Sequence, residues 1–491
     1  MTEISVEKPE RQSLQNTLKS GLCPLLSSPE LVSFPSSAEF QSSNLRFTEF
    51  ERPTYVAAVR PVCEKDVVET IKYARSQAIP FAARSGHHCV TTTMGQLQNG
   101  ILLDMRSIKH TEFDAEKQEV TIGGGILLDD FTKFVHSLGM EVTVGSCPTT
   151  GIIGVSFGAG LGRLQGKYGY LNDNMVSCKM VLADGTVTTV SEESHADLFW
   201  AIRGAGHNFG IALEATYRVY PQTNQGIHHS WDMGYSLDQC EDLFELLNDV
   251  HHTMPPDLAI FVLWKRQFPT GEKDLILVNL VFHGCESDAK KWVSQFEALR
   301  PKVSSGKLSL SWPDLPWEAC AAQNKLISRP EVWKMTPYKG MAAVNVKKFD
   351  PQVMRAFFES VKDMNTRYEG KGWFGAMFEC FSHQRTREIA SDATAFPWRH
   401  GGDHQIMVSA TPRDMKDMKP FVEFLDEWKA KFIQVSGFGR LHQYVNYGNT
   451  TPNHDQPEAL YGYEPWRLRK LRTLKQRYDP DGIFSWYQPF V

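Results

Sequence analysis

Between Gly145 and Gly169 the chain carries glycine at eight of 25 positions, where its overall content of 36 in 491 would place about two. Each glycine in regular structure costs about 0.5–1 kcal/mol relative to alanine, so a run this dense implies that a backbone or ligand must approach closely. Loops whose N–H groups point at a ligand most often hold phosphate. Neither common phosphate fingerprint fits. Gly158-Ala-Gly160 is followed by Arg163, and Gly204-Ala-Gly206 by Phe209, where the dinucleotide pattern G-x-G-x-x-G requires glycine. No Gly-Lys-Ser/Thr follows, which excludes a Walker loop. The run does contain Gly154-Val-Ser156-Phe-Gly158, the G-x-S-x-G of a hydrolase nucleophile elbow. An elbow needs a strand before the serine and a helix after it, and glycines on both sides make a serine hydrolase a remote alternative.

The flanking sequence alternates strand-like and helix-like patterns. Tyr55–Arg60 is apolar and β-branched, Glu64–Gln77 has helical spacing at Val67, Val68, Ile71 and Ala74, and Ile79–Arg84 and Ile101–Met105 are short apolar runs. Glu119–Gly123, a helix near Leu127–Leu138 and a strand at Glu141–Val144 repeat the theme. A hairpin about Asp184-Gly185 and a strand at Ile211–Val219 follow. From Tyr220 to Ile433 longer helices (Leu237–Met254, Ser287–Ala298, Pro351–Arg367, Met415–Phe432) alternate with strands such as Leu258–Leu263, Leu275–Phe282 and Met341–Val346, which predicts helices laid on one face of a sheet. The tail, Leu441–Val491, is too short to fold alone and is expected to dock on the first domain. The fold class is α+β.

Charge and cysteine content narrow the partners. With 52 basic and 57 acidic side chains the net charge is −5 and no basic stripe exists, which argues against nucleic acid. No apolar run approaches the ~20 residues of a membrane span. Glu3, Glu7 and Glu10 stand where a secretory signal would be basic and then apolar, so the expectation is an intracellular, cytoplasmic protein. Nine scattered cysteines without a C-x-x-C pair read as free thiols of a reducing compartment.

The second chemistry-bearing segment is Arg84-Ser-Gly-His-His-Cys89, directly after a strand. Vicinal histidines make a poor metal site because their rings diverge. The segment reads either as an exposed turn or as a loop that wraps an anion and offers one imidazole as a nucleophile.

Together these motifs resemble a known family. The βαβ unit, the Arg-Ser-Gly-x-His loop, Gly-x-Cys-Pro-Thr-x-Gly, Lys167-Tyr-Gly169, Asp173-Asn174, Ala183-Asp-Gly185 and Asp197-Leu-Phe-Trp-Ala-Ile-Arg-Gly204 are similar to the FAD-binding module of the vanillyl-alcohol-oxidase superfamily, PCMH type. Tyr444-Val-Asn-Tyr447, the Tyr-Asp-Pro-Asp481 region and Ala393-Thr-Ala-Phe-Pro397 resemble its berberine-bridge-enzyme-like branch, fungal members included. The resemblance covers nearly all of the chain from about residue 50. It implies an N-terminal extension (1–50), a two-subdomain FAD-binding domain (51–220), a substrate domain with a helix-covered antiparallel sheet (221–435) and a C-terminal segment returning to the FAD domain (436–491).

The same resemblance implies a site. The flavin-linking histidine falls on His88, with His87 where the family has glycine, and the cysteine of bicovalent members falls on Cys147. Arg84, Ser85, Gly86, His87 and the run carrying Thr149, Gly151, Gly154, Gly158, Gly160 and Gly162 would cradle the pyrophosphate, with Gly206 and Gly210 on the adenosine side. Asn446 and Tyr444 or Tyr447 would lie over the isoalloxazine. Two tethers would raise the flavin potential and leave the site open to a bulky substrate.

Where relatives present a polar or acidic side chain this sequence has Met407, so a carboxylate base is expected to be absent there. Tyr444, Tyr447 and His404 remain as proton acceptors. The aromatic residues Phe261, Trp264, Trp373, Phe374, Phe378 and Phe381 point to an apolar substrate or to ordinary core. The reading is an FAD-linked oxidase that passes a hydride from a small specialised metabolite to covalent flavin, with dioxygen as reoxidant. A sugar oxidase and a flavin-containing non-redox cyclase or pericyclase stay open beside it.

Overall fold

The computed structural model describes residues 8–268, 270–400, 404–448 and 456–490. Three larger sheets and one two-stranded pair organise them. In the first, Gly100–Asp104 lies between and parallel to Tyr55–Val59 and Phe81–Arg84, and Val32–Ser33 adds an antiparallel edge. The helix Glu64–Ser76 crosses between the first two of the parallel strands, its buried Val67, Ile71 and Ala74 forming the predicted apolar stripe. The second sheet is antiparallel, in the order Thr111–Asp114, Glu119–Gly123, Ile211–Arg218, Met175–Val181, Val187–Ser191. Together they are the two halves of the expected FAD-binding fold.

The third sheet has seven antiparallel strands, in the order Val303–Ser311, Ile227–Tyr235, Lys273–Phe282, Leu258–Gln267, Gly372–Phe381, His404–Pro412, Gly340–Val346. Helices cover one face. Pro351–Arg367 starts where Asp350 accepts from the N–H groups of Gln352 and Val353, with proline pre-set at the first turn. Its Phe357 meets Trp428 of the helix Met418–Val435 edge to face at 5.0 Å. On the strands Phe374, Ala376, Phe378 and Ile406, Val408, Ala410 point into this helix-covered core. The alternate residues face the first domain, because side chains on a strand alternate between faces.

Two predicted elements differ. The strand expected at Glu141–Val144 is only Met140–Glu141, paired with Tyr220–Pro221, because Val142 and Val144 turn into the core and Thr143 donates to Gly169 O at 2.7 Å instead of joining a ladder. The glycine run is not all loop: Ile152–Gly158 is helical. The segments Val303–Ser311, Leu315–Ile327 and Pro330–Met335 had no clear periodicity signal. No described helix is long and apolar enough to cross a membrane.

The tail packs on the first domain, with Leu468, Leu471 and Tyr461 sharing a core with Leu198, Ala205 and Phe209. The segment Ala395–Phe396 is pinned to the same place, Ala395 N–H donating to Trp200 O (3.1 Å) and Phe396 N–H to Arg203 O (3.2 Å). Beside them buried Arg399 binds both carboxylate oxygens of Asp173. Removing one partner of a buried ion pair strands the other charge. Arg399→Met is therefore expected to cost about 3–5 kcal/mol, read as a lowered denaturation midpoint at unchanged slope.

Candidate active site

A cavity of about 420 Å³ lies where the first domain, the seven-stranded sheet and the tail meet. That is the size of a small-molecule site, which runs ~300–1,000 Å³. Arg84, Ser85, Gly86, His87 and His88 line it from the loop after the parallel strand Phe81–Arg84. Cys147, Gly151 and Gly154 face it from the glycine run, Gly210 from the second sheet, and Tyr444, Asn446 and Tyr447 from the tail. One wall therefore gathers residues some 360 positions apart (447 − 84 = 363).

The two loops touch backbone to backbone. A Cβ on Gly86 would lie 2.4 Å from Thr149 O and 2.6 Å from Gly151 N, so only glycine permits the approach. Thr149 stands one step behind the wall, its hydroxyl 2.8 Å from His88 Nε2 and 3.7 Å from Cys147 Sγ. His88 and Cys147 thus share one hydroxyl. The His88 ring is stacked on Phe47 with centroids 5.0 Å apart and meets the edge of Trp333. Burial, aided by Arg84 and Lys339, pushes its pKa down to about 3. At neutral pH it is an uncharged imidazole with a free lone pair, the form a nucleophile needs.

The remaining predicted glycines serve packing rather than the wall. A Cβ on Gly158 would strike the Asn446 side chain at 2.2 Å, one on Gly162 would meet Val144 O, and one on Gly206 would enter the Phe157 ring. Gly160 donates its N–H to the Tyr444 hydroxyl at 3.1 Å. The hydrolase reading fails on Ser156: it is fully buried inside the helix Ile152–Gly158, its hydroxyl 2.7 Å from that of Tyr217 and 3.0 Å from Ile153 O.

His404 is also elsewhere. It occupies the helix-covered face of the substrate sheet, stacked on Phe349 at 4.3 Å and close to His251, because it shares strand parity with Ile406 and Val408. Met407, of opposite parity, lines the cavity. Its cross-strand neighbours are Met377 and Ala343, and with Met341 the methionines form an apolar patch facing the first domain. None of the second-domain aromatic residues Phe261, Trp264, Trp373, Phe374, Phe378 and Phe381 lines the cavity. Trp264, Phe374 and Phe378 lie in the helix-side core, and Phe261 and Phe381 in a second cluster.

The position of Met407 carries no carboxylate, as expected, but the neighbouring strand does. Glu379, two residues beyond Met377 and on the same face, is buried and accepts from the Tyr447 hydroxyl at 2.9 Å. Burial raises its pKa to about 7, although the bond from Tyr447 and the charge of Arg163 act the other way. Burial and then Glu379 itself push the Tyr447 pKa well up. The neighbouring Tyr444 hydroxyl accepts instead from Gly160 N–H and from Asn446 Nδ2 (2.7 Å). Of the two tyrosines, Tyr447 is the one joined to a proton acceptor. A single carboxylate within the apolar strand Gly372–Phe381 was the available signal for Glu379. Asn324, Ile327 and Ser328, also on the wall, gave none.

Comparison with known proteins decides the family. An FAD-linked oxidoreductase of Alternaria solani, alt4, is 56% identical over 483 residues, covering 98% of this chain and 97% of the relative. The chain belongs to the FAD-linked oxidoreductases. The sequence description "FAD binding domain" matches residues 56–191. Berberine-bridge-enzyme-like 1 of Physcomitrella patens shares the fold at TM-score 0.79 and 20% identity, over 94% of this chain and 97% of that one. Glucooligosaccharide oxidase from Acremonium strictum, whose FAD is described as 6-S-cysteinyl and 8α-N1-histidyl, does so at TM-score 0.79 and 19% identity over the same shares.

The residues of this FAD-linked oxidoreductase fit its cofactor. A Cβ at Gly154 would meet nothing within 4 Å, so the backbone there is open to a ligand. Tyr55 Oη and Trp486 Nε1 are buried on the cavity wall without partners, and buried donors require an acceptor. Gly86→Ala is expected to separate the two loops, costing ~1–3 kcal/mol as overpacking does and lowering flavin content per chain, read from the ratio of visible to ultraviolet absorbance.

Proposed function

We propose that this FAD-linked oxidoreductase is an oxidase of a small, largely apolar specialised metabolite, with flavin tethered through His88 and Cys147. The observation that carries the reading is the Tyr447–Glu379 pair, in which Tyr447 lines the same cavity as His88 and Cys147 and buried Glu379 stands behind it. The chemistry supplied by bound FAD is acceptance of a hydride from a substrate C–H bond and return of two electrons to dioxygen as hydrogen peroxide. The protein supplies the proton path. As the substrate gives up a proton, Tyr447 O takes it while the phenolic proton moves to Glu379, so the buried carboxylate ends neutral and no net charge is created in the site. Tyr444, held by Gly160 N–H and Asn446, keeps its ring edge-on to Tyr447 at 4.9 Å.

An apolar substrate is supported by the patch of Met341, Met377 and Met407, which offers dispersion contact and almost no hydrogen bonding. A sugar would leave its hydroxyls unpaired there. The paired base also favours oxidation over a non-redox cyclisation. Support for the two tethers comes from the shared approach of His88 and Cys147 to Thr149 and from the doubly linked flavin of the Acremonium enzyme.

Two measurements test this. Yellow colour that stays with acid-precipitated protein, and an intact mass raised by one FAD, are expected for the wild type. Cys147→Ala should keep one tether and His88→Ala the other, and a colourless pellet from the wild type would overturn covalent attachment. The pH profile tests the base. Glu379 must be ionised to accept the proton, so kcat/KM should be full above about 7 and fall as pH drops through that value. Glu379→Gln should lower kcat by roughly 10²–10⁴-fold and abolish this acid limb.

A further inference from the structure

Arg46 lies outside every segment assigned so far to the cofactor. Its side chain is 3% exposed and lines the cavity. Nη2 donates to Cys89 O at 3.1 Å, while Nε and Nη1 have no partner. Among the described residues no carboxylate pairs with it. A guanidinium remains charged at any working pH, and a buried, uncompensated charge is among the costliest groups a fold can hold. Something anionic must complete it.

The surroundings do not supply that anion. Buried Arg84 is nearby and spends its donors on Ser43 O and Ser85 O. Asp104, the acid that acts on Arg84, already binds Arg60 (2.9 Å) and Arg106 (2.6 Å). Tyr55 Oη, which feels the Arg46 charge, is another unpartnered group on the same wall. The backbone fixes the arginine here: His87 Nδ1 lies 2.9 Å from Leu45 O, and Phe47 N–H donates to His87 O at 3.1 Å. Arg46 is therefore clipped to the loop Arg84–Cys89, with its charge and the donors Nε and Nη1 left unpartnered, groups of the kind that hold phosphate oxygens.

We infer that Arg46 is a phosphate ligand of the flavin dinucleotide, its unpartnered N–H groups donating to pyrophosphate oxygens from the segment that precedes the FAD-binding domain. This rests on the reading that the cavity holds FAD, and it makes residues 45–47 part of the cofactor site. The guanidinium would lower the cost of bringing a doubly charged pyrophosphate out of water, and the phosphate would in turn neutralise the guanidinium.

The test compares a flavin that has phosphates with one that lacks them. Full-length protein carrying His88→Ala and Cys147→Ala, so that flavin is exchangeable, is stripped and titrated with FAD and with riboflavin, binding being read by flavin fluorescence. In that background Arg46→Met is expected to weaken FAD about tenfold or more, to leave riboflavin within about twofold, and to flatten the salt dependence of FAD binding. Arg46→Lys, which keeps the charge but not the fork, should lose less. Equal weakening of both flavins, or unchanged FAD affinity, would overturn the assignment. A raised substrate KM at unchanged FAD affinity would overturn it too and send the guanidinium to an anionic substrate group. If Arg46→Met does not fold, the same comparison on Arg46→Lys decides. Failure of the background protein to bind either flavin would remove the FAD reading and this proposal together, a result distinct from loss of the FAD-over-riboflavin difference alone.

Discussion

The approach of two backbones, Gly86 against Thr149–Gly151, governs the rest of the site. It brings the loop after one parallel strand within contact of the glycine run that enters the antiparallel half, so the cavity opens along the seam between two sheets. His88 and Cys147 face each other across that seam with the Thr149 hydroxyl between them. A side chain at Gly86 or Gly151 would separate the loops and, with them, His88 and Cys147.

The seam alone would be a cleft. It becomes a walled site because the seven-stranded sheet and the tail pack over it, and this packing sets its electrostatics. Glu379 comes from the sheet and Tyr447 from the tail. Neither would be perturbed in water, but burial raises both pKa values and makes the carboxylate the better acceptor of the pair. Arg163, buried near Glu379, moderates the effect without neutralising it. The same exclusion of water makes the His88 imidazole neutral, and the same burial leaves Arg46 in need of an anion.

Much of this was legible in the chain. The βαβ unit was readable because apolar residues recur at helical and strand periods, and the glycine run because no regular element tolerates such density without a reason. His88, Cys147, Tyr444, Asn446 and Tyr447 were placed by motif, and all five reach the cavity. His404 was misplaced by strand parity, since a shift of one residue exchanges the two faces of a sheet. Gly158, Gly160, Gly162 and Gly206 also make room for protein neighbours, namely Asn446, Leu171, Val144 and Phe157.

What the sequence by itself determined is the set of local elements, the family and the residues of the two cofactor loops, because those depend on short-range periodicity and on motifs a few residues long. The pairing of Tyr447 with Glu379, and the place of Arg46 on the cavity wall, were decided only in three dimensions. Glu379 and Tyr447 are 68 residues apart, and Arg46 meets Cys89 across 43. No local pattern encodes such pairings. They arise because the sheet face, the tail and the N-terminal segment are forced into one dry space, where a carboxylate, a phenol and a guanidinium must find partners or remain unpaid charges.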